Sequence, residues 1–199
     1  MQLGLALLRA IVGGLFMGHG LQKLTGWFGG HGLKGTGQFF EALDLRPGVA
    51  HAAAAGAAET GGGALIAAGL ATPLGAAALS GTMITAIRKV HAPKGVWATD
   101  GGYEYNLVLL AIVFALSDVG PGRLSLDALR GREHKGLGWA LAQLAAGAAG
   151  SFAATEIGRR QGASPAGADG AGQAAQNAGA GETASADGST AEMADAGAA

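Results

Sequence analysis

The apolar residues of the chain fall into blocks long enough to cross a lipid bilayer, and short stretches rich in glycine, proline and charge separate these blocks. A transmembrane helix needs about 20 mostly apolar residues, with about 17 as the lower limit. On this basis four helices are predicted, the last with apolar flanks, at Leu3 to Leu21, Val49 to Leu70, Leu74 to Val90 and Tyr105 to Leu116. We therefore expect an all-α integral membrane protein with a four-helix bundle over residues 1–122.

Three further segments follow the predicted bundle. Residues 123–136 carry four basic residues and predict an amphipathic surface helix. Residues 137–158 are mostly alanine and glycine, with no charge before Glu156. Because such residues insert at little cost, this segment predicts a fifth transmembrane helix, with a membrane-surface helix packed beside the bundle as the alternative. Residues 159–199 have no large apolar residue after the basic pair except Met193, and they predict a disordered acidic tail rich in alanine and glycine.

The composition supports a membrane protein. Of the 199 residues 49% are hydrophobic and only 14% are charged, whereas about 25% of a soluble domain is charged. No cysteine is present, which excludes thiolate nucleophiles, disulfide exchange and cysteine-ligated clusters. Redox chemistry would therefore need a bound cofactor. The N-terminus lacks the basic start of a signal peptide, so we expect a retained first helix.

Two short stretches, residues 19–32 and 91–105, each contain a histidine, a lysine, a tryptophan and a glycine pair. Two predicted crossings lie between them, so both stretches should emerge on the same membrane face. Their polar and aromatic residues form the candidate quinone- or partner-binding site, namely His19, Lys23, Trp27, His91, Lys94, Trp97, Tyr103 and Glu104. The aromatic rings would stack on a quinone, and the histidines or Lys94 would donate hydrogen bonds to its oxygens.

Two other interpretations of this cluster were considered. Imidazoles and carboxylates at the end of a helix bundle can bind a metal ion or haem. No His-x-x-x-His or Glu-x-x-His spacing is present, so neither is expected, and no metal ligand or catalytic residue is assigned. The simpler alternative is an interfacial belt, because histidine, lysine, tryptophan and tyrosine all favour the headgroup region.

Arg9 and Glu59 are the two ionisable residues within predicted spans. Each would cost about 2.5–3.5 kcal/mol if it lay unpaired near the bilayer centre. We therefore predict that Arg9 and Glu59 form a buried ion pair between the first and second helices. The functional alternative is that Glu59 transfers a proton or contacts a ligand.

Four sequence motifs together resemble the DoxX family of small bacterial membrane proteins. They cover about residues 3–130 and read LLRA followed by HGLQKLTGWFGGHG, then AETGGG, then HAPKGVWATDGGYEY, and finally GPGRLSLD. The resemblance implies a four-helix bundle in the bacterial inner membrane, related to a subunit of a thiosulfate:quinone oxidoreductase. It also implies soluble partners such as a sulfurtransferase or a superoxide dismutase. No catalyst is assigned among the motif residues, which are Arg9, His19, Lys23, Trp27, Glu59, His91, Lys94, Trp97, Gly101, Gly102, Tyr103 and Glu104.

The sequence therefore predicts a multi-pass membrane protein that is an accessory subunit of an oxidoreductase or oxidant-resistance assembly, with a quinone or partner site on one membrane face. The alternative is a non-catalytic membrane anchor or scaffold for soluble proteins. A third hypothesis is a small-solute carrier that uses Arg9 and Glu59. The lipid bilayer is an expected partner, and nucleic acid is not.

Overall fold

The computed structural model describes residues 2–162, and the regular secondary structure of this part of the chain is helical with no strand, which confirms the all-α prediction there. The α-helices are α1 (Gln2–Thr25), α2 (Gly32–Ala42), α3 (Gly48–Ala68), α4 (Thr72–Ala86), α5 (Glu104–Val119), α6 (Leu126–Leu129) and α7 (Leu137–Gly162). A π-helical turn, Ile87–His91, continues α4. Contacts divide the chain into two units, Met1–Arg159 and Arg160–Ala199, and the description below concerns the first unit. The predicted tail lies outside the described residues after Gly162.

By length and composition, two of the described helices could cross a membrane, and these are α1 and α7. The other long helices differ from them in one of two ways. α4 and α5 have 15 and 16 residues, and the 21 residues of α3 are mainly alanine and glycine. The predicted spans at these positions therefore correspond to helices. The length and hydropathy of α3, α4 and α5 indicate a membrane crossing less strongly than those of α1 and α7 do.

Glycines bring α1 and α3 together as antiparallel neighbours. A Cβ atom on Gly13 would lie 2.4 Å from the carbonyl oxygen of Gly63, and one on Gly20 would lie 2.6 Å from that of Gly56. Gly13 and Gly20 are seven residues apart, so they share one helix face. A second small-residue spacing on α1, Gly14-x-x-x-Gly18, takes no part in this contact, because a Cβ atom on either glycine would meet nothing within 4 Å.

A short turn joins α3 to α4, as the Ala-Thr-Pro sequence predicts. Gly69 ends α3 with φ 61°, and Ala71 precedes α4 with φ 44°. Thr72 and Pro73 then form the first turn of α4, where proline is well tolerated. α5 returns along α4, since Asn106 near its start donates a hydrogen bond to the sulfur of Met83 near the end of α4. The buried core lies between α1, α3, α4 and α5, and its members include Phe16, Ile66, Leu79, Val113 and Leu116.

α7 packs along α4 and runs in the same direction. Ser80 donates a hydrogen bond to Gln143 Oε1 at 2.9 Å, and one turn later a Cβ atom on Gly147 would lie 2.7 Å from that of Ser80. Further along both helices, Arg88 Nη1 donates to the hydroxyls of Ser151 and Thr155 at 3.2 and 3.3 Å. These contacts join α7 to α4 from Gln143 to Thr155.

The predicted amphipathic helix over 123–136 is wrong for most of that segment. Only Leu126–Leu129 is helical, and Ser125 caps it by accepting a hydrogen bond from Ala128 N. Gly131 and Gly136 then adopt positive φ angles of 61° and 106°, which end the helix. The basic residues gave a surface pattern, but these glycines and the buried Asp127 make the segment a turn packed against the bundle.

Candidate ligand cavity

A cavity of about 910 Å³ lies between the helices, toward the end where α1 finishes and α3 begins. This volume is in the range of ligand-binding pockets, about 300–1,000 Å³. Most of the lining is apolar, and alanine and glycine are frequent in it. The polar lining residues are His19, Lys23, His51, Glu59, Thr82, Thr85, Lys89, His91, Tyr105, Asn106 and Ser151. The cavity can therefore accept an apolar molecule that carries a few polar groups.

An ion pair between Lys23 and Glu59 forms part of the cavity wall. Lys23 Nζ lies 2.5 Å from Glu59 Oε2, and it also donates to the carbonyl oxygen of His19 at 3.4 Å. The side chain of Glu59 is 5% exposed and that of Lys23 is 24% exposed. Charge-assisted hydrogen bonds of this kind are stronger than neutral ones, especially where water is excluded. The pair thus places a donor and an acceptor beside an apolar volume.

The predicted Arg9–Glu59 ion pair is wrong, because each residue has other partners. α1 and α3 are antiparallel in a register that places Arg9 opposite Gly69, where a Cβ atom would lie 2.7 Å from Arg9 Nη1. Gly69 is ten residues beyond Glu59, which is about 15 Å along a helix. Lys23, near the other end of α1, is therefore the base that reaches Glu59.

Arg9 instead holds the loop between α5 and α6. Its guanidinium is buried and donates to the carbonyl oxygens of Pro121 and, at 2.6 Å, Leu124. Asp127 supplies the opposing charge. Asp127 also accepts a hydrogen bond from Thr72 N at 3.4 Å, while its own N–H donates to Gly69 at 3.0 Å. We call this cluster, formed by Arg9, Gly69, Thr72, Pro121, Leu124 and Asp127, the arginine hub.

Two histidines of the cavity have one ring nitrogen already engaged. His91 Nδ1 lies 2.7 Å from the carbonyl oxygen of Gly101, which can only accept, so this nitrogen carries the hydrogen. His19 Nδ1 faces Gln22 Oε1 at 3.1 Å, and the amide of Gln22 donates to Phe28. In the neutral form of either ring, the lone pair is therefore on Nε2. Each ring can accept a proton from a ligand, or donate one when charged.

The loop after α4 folds on itself and contributes two glycines to the cavity. Its ends are joined by hydrogen bonds from Tyr103 N to Gly95 O at 3.2 Å and from Glu104 N to Val96 O at 2.8 Å. A Cβ atom on Gly102 would clash with Gly95 O, so the two sides of the loop can approach each other only at a glycine. Gly102 is therefore needed for the close approach between the two sides of the loop.

The structure brings three of the eight predicted site residues into one lining, and these are His19, Lys23 and His91. The other five lie outside this lining, four of them in the loops and Glu104 at the start of α5. Trp27 and Trp97 are 61% and 64% exposed, and the carboxylate of Glu104 accepts a hydrogen bond from Ala98 N in the preceding loop. Lys94 and Tyr103 also lie outside the lining. The predicted stacking of Trp27, Trp97 and Tyr103 on a ligand ring is therefore not supported within the cavity.

Several lining residues were missed by the sequence analysis. Lys89 lines the cavity and donates to the carbonyl oxygen of Leu43 at 3.0 Å. Asn106 is buried and follows Tyr105, which also lines the cavity. A polar amide at the start of the most apolar block was a usable signal for Asn106, since buried amides need partners. His51 maps to the same face in the sequence, but it carried no motif of its own.

The geometry defines an all-helical protein with helices of membrane-spanning length and a ligand-sized cavity that is mainly apolar. Within residues 2–162, no group of three or more histidine or carboxylate side chains could hold a metal ion. The sequence profile of the DoxX family matches residues 4–92. The chain belongs to the DoxX family, which confirms the resemblance seen in its motifs.

A curated relative agrees with this assignment. The chain is 36% identical over 126 residues to the Bacillus subtilis (strain 168) protein named "Putative oxidoreductase CatD", and the match covers 63% of this chain and 86% of the relative. No solved structure matches the chain. The protein is thus a membrane protein of the DoxX type.

Proposed function

We propose that this protein binds a membrane quinone in its cavity and acts as an accessory subunit of an oxidoreductase or oxidant-resistance assembly. The observation that carries the proposal is the cavity itself, which is large, mostly apolar, and bordered by the Lys23–Glu59 pair and two histidines. A quinone has a flat apolar ring with two polar oxygens, and pockets for such ligands combine apolar walls with a few placed polar groups. The name of the Bacillus subtilis relative is consistent with an oxidoreductase role.

The proposal assigns specific tasks to the polar lining. Lys23 would donate a hydrogen bond to one quinone oxygen, while Glu59 holds its ammonium in place. His19 and His91 would meet the other oxygen or its hydroxyl through Nε2, because Nδ1 is engaged in each ring. The bound quinone would supply the electron-transfer chemistry that the side chains of this chain cannot. No catalytic role follows for the protein alone.

We further propose that α1, α3, α4, α5 and α7 cross the bacterial inner membrane in alternating directions. Apolar side chains on the outer surface support this arrangement, because they would otherwise face water. Leu3, Leu7 and Ile11 form an exposed stripe at four-residue spacing on α1, outside the cavity lining. α7 adds Leu141, Phe152 and Ile157, which are also exposed. In this topology the two motif-bearing stretches, residues 19–32 and 91–105, lie at the same membrane face.

The alternative function is that of an anchor for soluble proteins, and exposed aromatic residues at the cavity end favour it. Trp27, Phe28 and Trp97 are all more than half exposed. Phe28 has φ 54°, a backbone conformation that costs energy for a residue other than glycine. Such residues would contact lipid headgroups or a docked partner such as a sulfurtransferase or a superoxide dismutase. The anchor function requires no ligand in the cavity.

Quinone binding can be tested with the protein reconstituted in lipid nanodiscs. Quinones are extracted from the purified protein, and decyl-tailed benzoquinone is then titrated and followed by calorimetry. We expect saturable binding, with His19→Ala lowering the affinity about tenfold, a change equivalent to about 1.4 kcal/mol.

The matched control is His134→Ala, since His134 contacts Trp139 and does not line the cavity. This variant should bind as tightly as the natural protein. A protein that contains no quinone, shows no saturable binding, and still captures soluble partners would overturn the quinone proposal and support the anchor.

A further inference from the structure

Small residues line the part of the cavity between α3, α4 and α7, which we call the arm. They come from α3, α4 and α7, and they are Ala58, Ala77, Ala78, Ala146, Gly150 and Ala154. The hydroxyls along this arm are occupied within the protein. Thr82 donates to Leu79 O at 2.9 Å and Thr85 donates to Gly81 O at 2.8 Å. The arm therefore presents an apolar surface with no side chain large enough to fill it.

The arm is long and continuous with the polar part of the cavity. Leu74 and Thr85 on α4 both line it, and they are eleven positions apart, which corresponds to about 16 Å of helix. Lys89 and His91 line the cavity further along the same element. A ligand that fills the whole volume must therefore be polar at one end and apolar over a length well beyond a single ring.

Polar contacts hold α7 in place as the outer wall of this arm. The hydroxyl oxygens of Thr85 and Ser151 lie 2.9 Å apart, within hydrogen-bond distance, and Ser151 accepts a hydrogen bond from Arg88 at 3.2 Å. The guanidinium of Arg88 lies 3.7 Å from the ring centre of Phe152. The family profile ends at residue 92, so α7 adds this wall outside the matched region. Small residues alone would allow close packing, but here they border open space.

We infer that this arm is a groove for the isoprenoid tail of a membrane quinone and that α7 determines how long a tail it accepts. The inference rests on the proposed function, and it narrows the ligand to lipid-tailed quinones rather than small water-soluble ones. The ring would lie near Lys23, Glu59 and the histidines, and the tail would follow α4 and α7. Apolar contact along the groove then supplies much of the affinity.

The test compares one quinone ring with and without a decyl tail, titrated into the protein in nanodiscs. The variant is Gly150→Leu, because Gly150 lines the cavity and a Cβ atom there has no neighbour within 4 Å. The leucine would occupy the groove without displacing α4. We expect about tenfold weaker binding of the tailed quinone and unchanged binding of the tailless one.

The matched control is Ala149→Leu, one residue earlier on α7, exposed and outside the lining. It should leave both affinities unchanged. The groove assignment would be wrong if Gly150→Leu lowered the affinity for both quinones equally, or if Gly150→Leu and Ala149→Leu lowered the affinity for the tailed quinone equally. Quinone binding in the cavity would stand in either case. Absence of binding by either quinone to the natural protein would contradict the proposed function itself. Retention of a phospholipid that neither quinone displaces would assign the groove to a lipid chain and overturn the inference.

Discussion

The two ends of the helix bundle each contain a buried charged residue, but the surroundings differ. At one end, Arg9 donates to two backbone carbonyl groups and faces Asp127. None of these residues lines the cavity. At the other end, Glu59 is held by one lysine, and both side chains border the cavity. The arginine hub joins parts of the chain, whereas the Lys23–Glu59 pair adjoins space that a ligand can occupy.

This difference separates two roles that sequence alone assigns to the same residues. A charged group within a membrane protein is costly, so it is retained either for the fold or for function. The hub connects α1, the turn between α3 and α4, and the loop after α5, which lie far apart in sequence. The pair connects only α1 and α3. We therefore expect the hub to determine stability and the pair to determine ligand binding.

The largest effect is expected for Arg9→Met. The substitution leaves Asp127 as a buried charge without its base, and it leaves the carbonyl groups of Pro121 and Leu124 without donors. Removal of one partner from a buried charged cluster costs about 3–5 kcal/mol. The thermal unfolding midpoint in mild detergent should fall strongly, whereas Arg123→Met, an exposed change in the same loop, should leave it nearly unchanged. An unaltered midpoint for Arg9→Met would contradict the claim that the arginine hub determines stability.

A smaller loss of stability is expected for Gly13→Leu, midway between the two ends. The new side chain would meet the backbone of Gly63, so α1 and α3 would have to separate. Overpacking of this kind costs about 1–3 kcal/mol. The matched control is Gly14→Leu, because a Cβ atom on Gly14 meets nothing within 4 Å. Equal effects of the two substitutions on the unfolding midpoint would contradict the observed helix register.

The helices themselves could be predicted from the sequence, since apolar blocks and turn residues bound them. The second predicted span began at Val49, and α3 begins at Gly48. The Thr-Pro pair that follows Ala71 is a sequence signal for the start of α4, because proline is well tolerated in the first turn of a helix. The amphipathic segment failed because a basic pattern describes exposure and not backbone geometry, and Gly131 and Gly136 required positive φ angles.

The partners of the buried charges could not be predicted, because they depend on helix register. The cost of an unpaired charge within a span led to the predicted pair of Arg9 with Glu59, but packing at Gly13 and Gly20 places the two residues apart along the helices. The backbone acceptors of Arg9 also carry no sequence signal, since any residue can supply a carbonyl group. The cavity could not be predicted from the sequence for a similar reason. Its small lining residues look in sequence like ordinary helix-packing positions.

At the cavity end, Glu59→Gln should weaken quinone binding about tenfold, equivalent to about 1.4 kcal/mol, with little change in the unfolding midpoint. The glutamine oxygen can still accept from Lys23, and the lysine side chain is partly exposed, so its ammonium keeps some solvation. The matched control is Glu133→Gln, because Glu133 forms a 2.7 Å pair with Lys135 away from the cavity. Destabilisation of Glu59→Gln as large as that of Arg9→Met would show that both charges serve the fold.

The smallest effect is expected for Trp97→Ala. Trp97 does not line the cavity, and exposed substitutions of this kind change stability by no more than about 0.5 kcal/mol. The comparison variant is Tyr105→Ala, since Tyr105 is also about half exposed but does line the cavity. Calorimetric titration of decyl-tailed benzoquinone should give an unchanged affinity for Trp97→Ala and a weaker one for Tyr105→Ala. A weaker affinity for Trp97→Ala and an unchanged one for Tyr105→Ala would indicate that the ligand binds at the exposed aromatic residues, as predicted from the sequence, and not in the cavity.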